Sequence, residues 1–375
     1  MVEPILWLLI QTARYRKKLL ILIHKQGKSK LGIPEASNLD LITLLTNKKY
    51  CKPFIIPNNT PDKVKPYYSY LKLCGWGPFI SVIGSFSAGK SSIINTLSSS
   101  SKEIVPSDTS KTTSIPMFIK HGKNGILINT VYSKTIDLEI NYLDKIIKEV
   151  RYNPNTDYRR YIDFLVLKYN GFPYENITII DTPGYSGSDE DYAISMSITD
   201  ISDGVIFIFD ASRGALTEED LNIIEYVNNK KIDIIIIANK IDKVWDNKEE
   251  ILKGVKNSIN SKDININSKD ICYFSNDTDF EKQIYLEFML IENFIKTVSA
   301  KESRLMEFSD VYWDNKGRAF YFLKKYSEAI TCCDKAIELN PKNPVYWKNK
   351  GDALMRIKAD AEKCYAKAKE LGYDR

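Results

Sequence analysis

Four short apolar runs recur along the chain, each closing on a polar cluster. They are Phe79-Ile80-Ser81-Val82-Ile83, Ile177-Thr178-Ile179-Ile180, Val205-Ile206-Phe207-Ile208-Phe209 and Ile232-Asp233-Ile234-Ile235-Ile236-Ile237-Ala238. Short, nearly continuous apolar runs rich in β-branched and aromatic residues are the pattern of strands buried on both faces. Between them the spacing becomes helical, from Ser91 to about Leu97 and over 218–228. Strands that alternate with helices and end in polar clusters predict an α/β protein with a doubly wound, mostly parallel sheet. Weaker signals predict strands at 117–120, 126–128 and 271–274. They also predict helices over 138–150, with Leu138, Tyr142, Ile146 and Val150 on one face, and from about Phe280 to Leu305. Residues 105–116 read as a polar loop.

The two ends have other patterns. Near the start, the apolar blocks 5–10 and 19–23 flank Arg14, Arg16, Lys17 and Lys18. Neither block approaches the roughly 20 residues a membrane span needs. Met1-Val2-Glu3-Pro4 is not the basic opening of a signal peptide. The segment therefore reads as a helical extension that packs on the next domain or lies on an anionic membrane surface. Pro53, Pro57, Pro61 and Pro66 mark an irregular connection after it. At the other end, Trp313, Gly317, Phe320, Ala329, Ala336 and Pro341 follow the spacing of a tetratricopeptide repeat. Trp347 and Gly351 recur 34 residues after Trp313 and Gly317, and Ala361, Tyr365 and Ala368 resume the pattern. The expected domains are an extension over 1–76, an α/β domain over 77–305 and two helical hairpins over 306–375. Two repeats are fewer than a free-standing array uses, so they should lean on a neighbour, for which the helix near 280–305 is the nearest candidate.

Composition, 43% hydrophobic and 27% charged over 375 residues, is that of a globular protein. The net charge of +5 is uneven: residues 1–76 carry 13 Lys and Arg against 4 Asp and Glu, a surplus of +9, which leaves −4 for the rest. A nucleic-acid-binding reading of the whole chain loses its support. Six scattered cysteines and two histidines make no zinc set, and reduced thiols of a cytoplasmic protein are the expectation.

Gly84-Ser85-Phe86-Ser87-Ala88-Gly89-Lys90-Ser91, between a strand and a helix, has the G-x-x-x-x-G-K-[ST] pattern of a phosphate loop. Such a loop turns backbone N–H groups toward phosphate oxygens, and the helix N-terminus adds its positive end. Lys90 would reach the β- and γ-phosphates and Ser91 would ligate Mg²⁺, with Ser92 beside it. At the second strand end, Asp181-Thr182-Pro183-Gly184 would hold Mg²⁺ through a water at Asp181 and face the γ-phosphate with the Gly184 N–H. Asn239-Lys240-Ile241-Asp242 would read guanine. The Asp242 carboxylate accepts from N1–H and the exocyclic amine, Asn239 lies near O6 and N7, and the Lys240 stem covers the ring. Ser275 follows the strand at 271–274 where a loop contacting O6 would lie.

These residues, with Val105-Pro106 and Thr112-Thr113-Ser114-Ile115-Pro116, resemble the dynamin-like large GTPases and their prokaryotic relatives. The resemblance spans roughly residues 77–300 and includes the doubled Ser91-Ser92 and the long gap from Thr113 to Asp181. It implies a phosphate-loop G domain that hydrolyses GTP to GDP with Mg²⁺. Thr113 would contact the metal and the attacking water, and Ser87 would organise water and a monovalent cation. A homodimer through the G domain is implied as the activated state. The chain departs from the family at Phe86, where many dynamins have a polar residue, and in having no long helical stalk after the G domain. Tyr185 stands where Ras-like enzymes carry a water-orienting glutamine, and no arginine lies between Lys90 and Thr113. Turnover should therefore be slow alone. The repeats would bind a protein partner or a second copy, and a GTP-dependent scaffold of low activity is the alternative.

Overall fold

The computed structural model describes residues 41–46, 51–53, 68–75, 77–98, 104–105, 115–132, 134–152, 157–262, 264, 266, 270–275, 277, 281–301, 303 and 309–373. The basic N-terminal segment and Thr113 lie outside the described residues. The described elements begin, in chain order, with α1 Leu41–Thr46, β1 Lys52–Pro53, α2 Tyr68–Cys74, β2 Phe79–Gly84 and α3 Lys90–Leu97. β3 Met117–His121, β4 Gly125–Thr130, β5 Lys134–Leu138, α4 Leu143–Tyr152, β6 Ile162–Tyr169 and β7 Thr178–Asp181 follow. Next come α5 Asp189–Asp200, β8 Gly204–Asp210, α6 Glu218–Asn229, β9 Asp233–Asn239, α7 Lys248–Ser261, β10 Ile271–Tyr273 and α8 Glu281–Ser299. The last four helices are α9 Asp310–Phe322, α10 Tyr326–Leu339, α11 Pro344–Arg356 and α12 Glu362–Glu370.

The strands form one sheet in the order β1-β5-β4-β6-β3-β7-β2-β8-β9-β10. From β7 to β10 all pairings are parallel, and this half contains the four apolar runs. β3 runs antiparallel to β7 and parallel to β6, and beyond β6 every pairing is antiparallel. The long gap between Thr113 and Asp181 is thus where the sheet widens. Leu138 closes β5 instead of opening a helix, because Glu139 is extended and the helix begins at Leu143. Leu138, Tyr142 and Ile146 are nevertheless all buried, so their spacing reflects a shared core across two elements. β6 is an eight-residue strand with four consecutive buried positions, and the sequence pattern did not predict it.

Strand register brings the polar strand ends together. Gly84 pairs with Ile208, Val82 with Asp181 and Asp210 with Asn239, so the polar residues ending β2, β7, β8 and β9 arrive at one edge. An aromatic row braces the sheet: Phe79 lies edge-on to Phe118 at 6.1 Å, and Phe118 meets Phe164 at 5.0 Å. Each such pair contributes about 0.5–1.5 kcal/mol beyond its buried area. Helix α8 covers β9 and β10 and buries Ile284, Ile291, Ile295 and Val298.

The described residues group into two compact units. One is drawn from within Met1–Phe54 and Pro78–Lys301, the other from within Ile55–Gly77 and Glu302–Arg375. In the first, Leu41, Leu44 and Leu45 join the core and β1 extends the sheet edge. Helix α8 groups with the sheet, and α2 groups with the repeats in the second unit. The second unit stacks α9 on α10, α10 on α11 and α11 on α12. Close helix approach occurs at Gly317, where an added Cβ would stand 3.2 Å from the Cys332 Cβ. Trp313 stays half-buried under the Lys335 ammonium, 3.9 Å from its ring centre, and the Trp347 indole donates to the Pro341 carbonyl. The tryptophans therefore cover a seam and do not fill a deep gap.

At the start of the central strands, the Asp203 carboxylate accepts from the Phe79 N–H at 2.9 Å, while the Asp203 N–H donates to the Phe79 carbonyl at 2.8 Å. Asp203→Ala leaves a buried backbone donor unpaired and is expected to cost about 1–3 kcal/mol. A urea midpoint equal to that of the parent would remove this role.

Candidate functional site

The phosphate loop leaves β2 at Gly84 and enters α3 at Lys90. Ser85, Phe86 and Ser87 are half-buried, Ala88 is fully buried, and Ser87 adopts a left-handed φ of 62°. A non-glycine residue held there costs on the order of 1–2 kcal/mol, so the surroundings over-determine the loop. Lys90 is buried, and its ammonium donates to the Gly84 and Ser85 carbonyls at 3.0 and 3.1 Å. Those two bonds hold the lysine head against the start of the loop. Ser92 follows in the first turn of α3, where its carbonyl accepts from Thr96.

Asn239 reaches this loop from β9. Its Nδ2 donates to the Ala88 carbonyl at 2.7 Å. Gly89, at φ 96°, lies so close that a Cβ there would sit 2.0 Å from the same nitrogen. The motif predicts Asn239 beside O6 and N7 of a base. Its amide nitrogen also braces the phosphate loop, because the register of β8 between β2 and β9 sets the two strand ends within one side chain's reach.

Two hard oxygens meet at the loop's exit. The Ser91 hydroxyl donates to Asp181 Oδ2 at 3.2 Å, and Asp181 is fully buried at the end of β7. A hydroxyl and a carboxylate are hard oxygen donors, so the pair fits a Mg²⁺ that Ser91 would ligate and Asp181 would hold through a water. Thr182 fixes this strand end by donating to the Val82 carbonyl at 2.8 Å, and the Ser195 hydroxyl of α5 donates to the Pro183 carbonyl. Gly184 then lies against Phe86, where a Cβ would come within 2.8 Å of the Phe86 Cα. The Phe86 N–H donates to the Ser186 hydroxyl at 2.9 Å. No motif singles out Ser186, and it engages a donor expected to face phosphate.

Tyr185 is buried, stacks on Phe207 at 6.3 Å, donates its hydroxyl to Asp220 of α6, and stands within hydrogen-bond reach of the Ser85 side chain in the phosphate loop. Burial, then the Asp220 charge, push the phenol well above its ordinary range, so it stays protonated. Asp220 also closes a capping box with Thr217, a Thr-x-x-Asp pattern visible in the sequence.

At the base-reading end, Lys240 takes a left-handed φ of 59°, and its ammonium lies 2.7 Å from Asp210 Oδ2. Asp210 also accepts from Ser212, and Arg213 stands 3.5 Å away. Burial pushes the Asp210 carboxyl up, but the hydrogen bonds from Lys240 and Ser212 outweigh it and hold the group below the usual carboxylate range. Asp242 accepts from the Ser275 hydroxyl at 2.6 Å, and Ser275 in turn accepts from the Asp277 N–H. The strand pairing of β9 with β10 brings these residues together. Ser275 therefore orients the carboxylate through its side chain. Of the predicted site residues, all but Thr113 are described, and they gather at one end of the parallel strands.

Residues 80–241 match the dynamin family, and residues 313–343 match the tetratricopeptide repeat. The first segment is a dynamin-like G domain. Among solved structures, two chains of an oligomerised bacterial dynamin pair, described as sensing and tethering membranes at long range, are similar over 92% of this chain and 54% of theirs. Their identities are 16% and 15%, with TM-scores of 0.42 and 0.41. The chain thus spans about half the length of those dynamins. Era of Aquifex aeolicus, bound to GDP and aluminium fluoride, aligns over 56% of this chain and 55% of its own at 15% identity, with a TM-score of 0.32. No curated protein matches the chain. The dynamin-like match ends at Ile241, so Asp242 stands just beyond it and Ser275 lies well outside it.

Gly89→Ala forces both φ and the Asn239 contact, and is expected to abolish nucleotide binding while Ser92→Ala retains it, as read by fluorescent GTP titration. Asp210 contributes stability through a lowered pKa. That contribution is present above the ordinary carboxylate value and is lost as pH falls through the lowered one. Asp210→Asn should cost about 1.5–3 kcal/mol near neutral pH and flatten the acid limb, measured by urea unfolding across the acid range.

Proposed function

We propose that this protein binds GTP with Mg²⁺ and hydrolyses it to GDP and phosphate, slowly as a single copy and faster when two G domains meet. The observation that supports the guanine-nucleotide reading is the convergence at one sheet edge of Lys90, the Ser91–Asp181 pair, Asn239 and the Ser275–Asp242 pair. In this reading the loop amides and Lys90 bind the phosphates, and Asp242 accepts from the guanine N1–H and amine. Mg²⁺ held at Ser91 and Asp181 supplies charge compensation for the phosphate oxygens. Thr113 takes the water-positioning role and Ser87 the role at the phosphate side, where a second copy completes the stabilisation of developing charge.

Slow turnover follows from Tyr185. Its hydroxyl is engaged by Asp220 within the core, and the residue that follows Gly184 carries no amide to orient water. That observation also favours the second reading, a GTP-dependent scaffold in which nucleotide state matters more than flux. The repeats would carry the protein partner in either case. Among the described residues no helix is long and apolar enough to cross a membrane, and any membrane contact would be peripheral.

GTP turnover per molecule measured against protein concentration separates the readings. A rise with concentration supports the dimer-activated enzyme, and a low constant rate supports the scaffold. Lys90→Ala should lose GTP binding by at least two orders of magnitude, on the order of 3 kcal/mol or more, with an unchanged circular dichroism spectrum. Asp242→Asn should move preference from guanine toward xanthine, since the amide donates where the carboxylate accepts. Tyr185→Gln should not accelerate turnover, because the side chain is directed into the core; a gain of tenfold or more in kcat, about 1.4 kcal/mol, contradicts that.

A further inference from the structure

The four most exposed large apolar side chains described in the repeat unit lie at the ends of two helices. Phe322, the last residue of α9, is 75% exposed and Leu323, just after it, 65%. Met355, in the last turn of α11, is 59% exposed and Ile357, just after that helix, 46%. Leu323 and Ile357 stand 34 residues apart, as do Lys324 and Lys358. The tetrads Phe322-Leu323-Lys324-Lys325 and Met355-Arg356-Ile357-Lys358 are exposed at every position, hold four cations and contain no carboxylate.

The two turns are built alike. The Lys325 N–H donates to the Phe320 carbonyl and the Ala359 N–H to the Leu354 carbonyl, which is the six-residue closure of a helix C-terminus. Lys324 and Lys358 take the left-handed position, with φ of 61° and 58°. Glycine is the residue that favours that conformation, and lysine stands there in both turns. The turns also touch: Arg356 Nε donates to the Tyr321 hydroxyl at 2.9 Å, and its guanidinium lies over the Tyr321 ring. They therefore form one continuous edge on the repeat unit, with apolar side chains outward and cations beside them.

From this geometry we propose that the edge formed by Phe322, Leu323, Met355 and Ile357 with Lys324, Lys325, Arg356 and Lys358 is a docking surface for an anionic lipid membrane. The inference is separate from the nucleotide reading. Charge complementarity selects the occupant, since four cations without a carboxylate suit a polyanionic surface. Shape favours lipid over a helix, because Leu323 and Ile357 sit in tight turns and Phe322 and Met355 on the last helical turn beside them, and together they line no groove. Turn tips insert into a soft interface, whereas a partner helix lays its apolar stripe in a groove. Tyr321, between Phe322 and Arg356, has the apolar body and polar tip that suit the headgroup level. The contact is reversible, since exposed charges are screened by salt and four apolar side chains give only shallow insertion.

The test is co-sedimentation of the full chain, without nucleotide, with phosphatidylcholine vesicles and with phosphatidylcholine vesicles containing phosphatidylglycerol, at low and high salt. The expected result is pelleting with the anionic vesicles only, weakened by salt. Phe322→Ser with Leu323→Ser should reduce the partition coefficient by about tenfold. Lys324→Glu with Lys358→Glu should remove the preference for anionic vesicles. Thermal melting of each variant checks that the repeat unit stays folded, which the exposure of these side chains predicts. A full chain that ignores anionic vesicles at low salt overturns the proposal. So do variants that bind as the parent does, which assigns membrane contact elsewhere in the chain. If the variants keep lipid binding but lose self-association in sedimentation velocity, the edge belongs to a second copy and the proposal fails. GTP titration of the same samples reads the nucleotide site independently, so failure of either reading leaves the other measurable.

Discussion

The side-chain amide of Asn239 holds the phosphate loop from the far side of β8, and Gly89 must lack a Cβ for it to do so. This contact makes the phosphate-binding end and the base-reading end a single rigid piece. It depends on parallel registers: with Gly84 opposite Ile208 and Asp210 opposite Asn239, one side chain spans the distance between strand ends. A slip of one residue would turn Asn239 to the other face of the sheet and leave the loop unbraced. Gly184 against Phe86 applies the same close approach on the other flank, from β7.

The residues proposed to meet a nucleotide are held beforehand by their neighbours. Asp210 pins the Lys240 ammonium, Ser275 turns Asp242, and Ser91 is already bonded to Asp181. Binding then has less side-chain freedom to remove, which is the advantage of preorganisation. Tyr185 is held in the same way, its ring packed beside Phe207 in the core and its hydroxyl bonded to Asp220. One side chain thus ties the segment after Gly184 to α6.

The repeat unit is governed by different physics. Its helices pack in sequence order through small residues such as Gly317, Ala329 and Ala336, and the 34-residue period reproduces each turn as well as each interface. A repeat that preserves packing also preserves the surface around it. Leu323 and Ile357, and Lys324 and Lys358, accordingly fall at matching positions of two successive turns.

The local pattern in the sequence determined the four buried strands, the loop between β2 and α3, and the repeat at the C-terminus. Each is carried by residues close together in the chain, where periodicity, glycine placement and side-chain chemistry act directly. The widened antiparallel half of the sheet was less legible: Leu138 shared a helical spacing with Tyr142 and Ile146 because one core buries the end of β5 and the helix that follows. Helix α8 was visible as a helix, yet only packing decided that it covers β9 and β10 and groups with the sheet. The roles of Ser186, Asp210 and Ser275, and the turn of Asn239 toward Ala88, were decided by tertiary structure alone. Those contacts join residues separated by 100, 30, 33 and 151 positions, and no local pattern encodes which distant strand end a polar side chain will meet until the register of the sheet is set.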